Sequence, residues 1–127
     1  MITEAEQREA YEWRYPGLKG KNWKIQDVGA WGGLSALDMD MDIAPLPRTI
    51  TRLPPLYTNG KPDLNTVFEF VKKLINEGIR VEFNCEDQCT FCRFWKRHEV
   101  VAGKMSTDGD PVGELFYAAF IQWREAQ

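Results

Sequence analysis

Three cysteines fall close together in the stretch CEDQCTFC at 85–92. Cys85, Cys89 and Cys92 follow a C-x3-C-x2-C spacing with Phe91 just before the last, and thiolates so spaced can hold an iron–sulfur cluster if a loop lets them converge. With His98 they make a Cys3His set, the donor composition of a structural zinc site. A strand would defeat both, because residues three apart on a strand point to opposite faces and Cys89 separates from Cys92. On a hairpin, Cys85 and Cys89 would flank a three-residue loop and face each other. Between the paired cysteines lie Thr90 and Phe91, with no glycine for the tight turn of a zinc knuckle. We therefore expect free thiols acting as small apolar side chains, with no metal and no cofactor.

The same spacing resembles the signature of the radical S-adenosylmethionine enzymes, whose partial barrel of strand and helix units has the motif near its beginning. Only residues 93–127 follow Cys92, too little chain to complete such a barrel. Asp38, Asp40 and Asp42 in DMDMD look like the opening of a calcium loop, but Ile43 and Thr49 stand where glycine and glutamate would be needed. A strand with an acidic face accounts for them better, with the methionines toward the core. One histidine rules out a histidine pair for acid–base work. GAWGG lacks the lysine and spacing of a phosphate loop, and no nucleophile elbow or dinucleotide fingerprint occurs. The expectation is a non-enzyme.

One stretch has the residue types for binding. In FCRFWKRH, strand alternation would put Phe91, Arg93, Trp95 and Arg97 on one face, with Lys96 and His98 opposite. Cations beside flat rings can hold an anionic aromatic ligand such as a nucleotide, by charge to phosphate and stacking to the base. The competing account is a solvated edge whose charges deter strand pairing.

Several elements must position these residues. TEAE at 3–6 reads as a capping box opening a short helix, which Pro16 and Gly17 close. From 18 to 60 the pattern is weak: KNWKIQDV is strand-like, ALDMDMDIA alternates, and Pro45, Pro47, Pro54 and Pro55 suggest an extended connection or an edge. The apolar positions Leu64, Val67, Phe68, Val71, Leu74 and Ile75 recur at helical spacing over 64–77, with Asp63 to cap the start and Gly78 the end. IRVEFNC alternates Ile79, Val81, Phe83 and Cys85 on one side, and with CTFCRFWKRHEVV it predicts a β-hairpin near 79–101. Asp110 and Pro111 open a second helix near 111–125, with an apolar stripe of Val112, Leu115, Phe116, Ala119, Phe120 and Trp123.

At 127 residues with 43% hydrophobic and 13% aromatic content, the chain can bury a core of its own, so a single α+β domain over 1–127 is expected. A formal charge of −3 argues against a duplex DNA binder, which needs an excess of Lys and Arg. The polar N-terminus has no apolar segment of the signal-peptide kind, and VGELFYAAFIQW is too short to cross a membrane. With an odd number of cysteines, this points to a reducing cytoplasm.

The stretch from LPPLYTNGKPDLNTVFEFVKKL through GIRVEF and CTFCRFWK to DGDPVGELFYAAFIQW, residues 53–125, resembles the small phage-encoded proteins of the phage ABA sandwich (alpha-beta-alpha) group. The chain departs from their late-helix pattern at Phe116 and Tyr117. The resemblance implies a layered α/β fold and the cytoplasm of an infected bacterium, and it supplies no catalytic residues. It suggests a phage accessory protein for counter-defence, which would sequester a host immune nucleotide signal or block a host defence protein. A structural or virion-associated interaction module, self-associating into a homo-oligomer, is the first alternative, and a cysteine-based metal enzyme the second.

Overall fold

The structure is a computed structural model that describes residues 1–29, 33–40, 48–86 and 88–127. It is an α+β fold built of helices and small antiparallel sheets. Length suggested one domain over 1–127; the backbone contacts gather into two compact units, residues 4–55, and residues 1–3 with 56–127.

In the first unit, α1 (Glu4–Arg14) starts just after Thr3, and Pro16–Leu18 form a single 3-10 turn. Tyr15 has ψ 82°, outside the helical range, as expected of a residue preceding proline. β1 (Trp23–Asp27), β2 (Leu34–Asp38) and β3 (Arg48–Arg52) form an antiparallel sheet in that order. The stretch 18–60, read from its pattern as weakly structured or extended, holds this sheet. Its periodicity is blurred by a register shift at Ala36/Leu37, which leaves Ser35, Ala36 and Leu37 all buried.

Trp23 anchors α1 to β1. Its indole N–H donates to Glu12 at 3.0 Å, the Arg8 guanidinium stacks 4.5 Å from the ring centroid, and Arg8 also donates to the Trp23 carbonyl. Met39 is exposed, against the expectation of a core methionine, because β2 ends at Asp38. Met41, Asp42, Ile43, Pro45 and Pro47 lie outside the described residues, as does most of GAWGG. β3 does sit at a sheet edge.

The second unit begins with a small hairpin of β4 (Tyr57–Thr58) and β5 (Lys61–Pro62). Asn59 and Gly60 turn it with φ of 53° and 76°, the pair of positive angles that a two-residue hairpin favours. α2 (Leu64–Asn76) follows. Its N-cap Asp63 accepts from the Thr66 N–H at 3.1 Å, and Gly78 ends it at φ 84°. β6 (Ile79–Glu86), β7 (Cys89–Lys96) and β8 (Glu99–Ser106) form an antiparallel sheet with β7 in the middle.

The expected hairpin near 79–101 is therefore two successive hairpins. The strand breaks at Arg97 and His98, where Arg97 takes φ 59°. α3 (Val112–Glu125) packs on β7 and β8, and α2 on β6. Phe70, Phe94, Phe116 and Phe120 are fully buried between these layers, with Phe94 and Phe116 ring centroids 5.5 Å apart. α3 buries more than the expected stripe, since Tyr117 and Ile121 are covered as well and the Tyr117 hydroxyl donates to the Leu56 carbonyl at 2.7 Å. Among the described residues no helix is long and apolar enough to cross a membrane.

Candidate functional site

β7 has two unlike faces because its side chains alternate. Cys92 and Phe94 are fully buried on the side of α3, where Phe94 meets Phe116 and lies 6.3 Å from Trp123. Phe91, Arg93 and Trp95 take the opposite parity and turn to the outer face of the sheet. The strand pairing sets Asn84, Glu82 and Arg80 of β6 beside them on one flank, and Met105, Gly103 and Val100 of β8 on the other.

These side chains form a connected row. The Arg93 guanidinium stacks 4.1 Å from the Phe91 centroid and lies 3.9 Å from Glu82 Oε1. The Trp95 indole N–H donates to the same Glu82 oxygen at 3.1 Å, and the Arg80 guanidinium stacks 5.3 Å from the Trp95 centroid. Gly103 gives Arg93 room on the β8 side: a Cβ there would lie 3.4 Å from Arg93 Cγ. The outcome is a face of two rings, two guanidinium groups and one carboxylate, with the Arg93 side chain still 44% exposed.

Three of the four residues singled out in the sequence, Phe91, Arg93 and Trp95, thus share a face. Arg97 does not join it by alternation. It occupies the β7–β8 turn, where Lys96, Arg97, His98 and Glu99 line a surface depression. Arg80 and Glu82 were not singled out, although the alternation of Arg80, Glu82 and Asn84 with Ile79, Val81 and Phe83 carried their signal. Which strand lies beside β7, and in what register, depends on tertiary pairing that a single strand's pattern does not encode.

The cysteines do not converge. Pairing continues to Glu86 opposite Cys89, so Cys85 faces Thr90 and not Cys89, and a two-residue connection replaces the expected three-residue loop. Asp87, within that connection, lies outside the described residues. Alternation puts Cys92 on the α3 side and Cys89 on the other. Burial pushes the Cys92 thiol up to about 12, with the nearby Glu82 charge adding to the shift, so it stays protonated and behaves as an apolar filler. Among the described residues no three His, Cys, Asp or Glu side chains come together as a metal site would require.

Chemically, the outer face offers stacking surfaces and hydrogen-bond donors of fixed charge. The Glu82 carboxylate is shared between the Trp95 indole N–H and the Arg93 guanidinium. No protein-family model, curated protein or solved structure matches the chain.

Proposed function

We propose that this protein is a non-enzymatic binding module that takes an anionic, aromatic ligand of the nucleotide class on the outer face of β7. The observation that supports this is the placement of Arg93, exposed, between the half-buried Phe91 and Trp95 on the side of the sheet opposite α3, with Arg80 beside Trp95. A base stacks on the indole or phenyl ring, and the phosphate takes the guanidinium donors in place of Glu82. The resemblance to small phage proteins gives this binding a use: capture of a host immune nucleotide signal in the infected cytoplasm, as a counter-defence.

Native mass spectrometry of protein purified from cells, followed by calorimetric titration with mono-, di- and cyclic oligonucleotides, tests the reading. A nucleotide mass lost on denaturation, with affinity reduced at least tenfold in Arg93→Ala and Trp95→Ala, supports it. Affinity unchanged in both variants would remove the site assignment. No uptake of any nucleotide would remove the reading itself.

A second reading, blocking of a host defence protein or another protein contact, draws on Val100 and Met105. Both are exposed and pair opposite Trp95 and Phe91, extending the face with apolar surface that a nucleotide does not need. Capture of a protein by a face that ignores nucleotides, lost in Met105→Glu, would favour it.

A further inference from the structure

The outer face of β7 repeats one arrangement. The Arg93 guanidinium lies 4.1 Å from the Phe91 centroid, and the Arg80 guanidinium lies 5.3 Å from the Trp95 centroid. Phe91 and Trp95 are half-buried while Arg80 and Arg93 are exposed, so each ring backs a flat cation that solvent reaches. A mononucleotide has one base and needs one such platform. Two platforms on one strand suit a ligand with two bases.

Their spacing says how those bases are joined. Phe91 and Trp95 are four residues apart on β7, about 13 Å at about 3.3 Å per residue. Stacked neighbours along one nucleic-acid strand lie only about 3.4 Å apart. Bases that reach both platforms are therefore unstacked and splayed, the form in which single strands are read by aromatic rings and guanidinium planes. Between the platforms, the β8 position opposite Arg93 is Gly103. It is not a turn residue with positive φ; it admits the Arg93 side chain and leaves the β8 side of the middle row low. Glycine within a strand often marks the close approach of a ligand.

We infer that this face takes a phosphodiester-linked ligand with two splayed bases, one against the Trp95–Arg80 pair and one against the Phe91–Arg93 pair, with the linker crossing at Gly103. The planar Arg93 guanidinium serves both parts, its face taking a base and its edge donating to the phosphate. Passage over Gly103 keeps the linker on the β8 side, away from Glu82, which lies opposite Arg93 on β6. Across these three rows two guanidinium groups face that one carboxylate, a balance that suits an anionic linker.

The two-base site rests on the nucleotide reading of β7 and narrows it to an oligonucleotide. A free linear or cyclic oligonucleotide and a segment of a longer single strand share this chemistry.

Calorimetric titration of the full chain with linear mono-, di- and trinucleotides of one base tests it. Affinity should rise at least about tenfold from mononucleotide to trinucleotide, as one further stacked base implies. A trinucleotide lacking its middle base should bind about as well as the complete one, whereas one lacking a terminal base should fall to near the mononucleotide. These ligand-side changes need no variant to fold. Phe91→Ala, with its fold checked by circular dichroism, should lower trinucleotide affinity about tenfold and mononucleotide affinity no more than about twofold, since the larger indole holds a single base. Full competition by one cyclic dinucleotide per chain would support a free signal as the source of the two bases, and loading of several chains on a strand of about twenty nucleotides would support a polymer. Equal affinity for mono- and trinucleotide would overturn the two-base site and leave nucleotide binding standing. A trinucleotide lacking a terminal base that bound like the complete one would overturn it too, because charge alone would then explain the gain. No binding at any length would remove both.

Discussion

The Trp95 indole N–H donates to Glu82 Oε1 at 3.1 Å across β7 and β6, so the carboxylate that neutralises the outer face also orients its largest ring. On the proposed nucleotide reading, Glu82 competes with the ligand phosphate for Arg93. Glu82→Gln keeps a hydrogen-bond acceptor for Trp95 while removing the competing charge. For a solvent-exposed pair such as Arg93 and Glu82 one charge is worth at most about 1 kcal/mol, or roughly fivefold in affinity. Nucleotide affinity should rise by about that factor at low salt, with the gain shrinking as salt is added. Calorimetric titration at two ionic strengths checks this, and a fall in affinity would mean that Glu82 contacts the ligand itself.

Arg97 is the residue at which strand alternation fails. It has φ 59° with a full side chain, a conformation that costs an L-residue roughly 1–2 kcal/mol and a glycine almost nothing. Glycine also loses more freedom on folding, so Arg97→Gly should stabilise the protein by up to about 1 kcal/mol in urea melts. The same variant should leave nucleotide affinity within about twofold, a change of about 0.4 kcal/mol, because Arg97 lies in the turn and not in the row of Phe91, Arg93 and Trp95.

How far the site could be foreseen follows from that turn. The alternation of Ile79, Val81 and Phe83, the caps Asp63 and Gly78, and the run from Leu115 to Trp123 are periodic over enough residues to announce their elements. Arg97 and His98 carry no glycine or asparagine, so nothing in their side chains marks a break, and Arg97 reads as one more outward strand position. The β4–β5 hairpin has the opposite character: Asn59 and Gly60 announce the turn, but strands of two residues are too short to show a period. The Glu82 contact with Trp95 needs the register of two strands, and the register shift at Ala36/Leu37 interrupts β2, so the alternation of ALDMDMDIA covers only its last residues, Ala36 to Asp38.

Gly113 was not foreseen at all, yet it is where α3 meets the β5 strand. A Cβ there would lie 2.6 Å from Pro62 Cβ, closer than real contacts allow, and Pro62 has no rotamers with which to yield. Gly113→Ala improves helix propensity by at most about 1 kcal/mol, less in the first turn, and overpacking costs about 1–3 kcal/mol. The clash should win, lowering stability by about 1–2 kcal/mol. A urea midpoint higher in Gly113→Ala than in the parent would show that the hairpin gives way.

Asp63 links α2 to the pH response. Its carboxylate accepts from the Thr58 hydroxyl at 2.8 Å and from the Thr66 N–H, and these bonds, Thr58 first, hold its pKa below the ordinary value of 3.8. The folded state thus favours the charged form, so the contribution is complete above that ordinary value and is lost as pH falls through the lower folded one. Asp63→Ala should cost about 1 kcal/mol near pH 7, the usual worth of an N-cap, and the difference from the parent should shrink in acid. A loss independent of pH would assign the effect to packing.

Two of the three thiols, Cys85 and Cys92, should part company under alkylation. Cys85 is exposed and Cys92 fully buried, with its thiol pushed up to about 12 by burial and by the Glu82 charge. At pH 8 the thiolate is the reacting species, so iodoacetamide should modify Cys85 quickly and Cys92 only when the sheet opens. Because the folded pKa of Cys92 lies above the unfolded value of 9.0, its stabilising contribution is complete below pH 9 and declines from there through about 12. Cys92→Ala should therefore flatten the alkaline fall in stability while lowering stability at pH 7 by about 1 kcal/mol through the lost sulfur packing. Mass spectrometry of alkylated peptides reads the first outcome and urea melts between pH 7 and 10.5 read the second. Equal labelling of Cys85 and Cys92 in the folded protein would mean that the α3 side of β7 is open to solvent, and the core assigned to Phe94 and Phe116 would have to be redrawn.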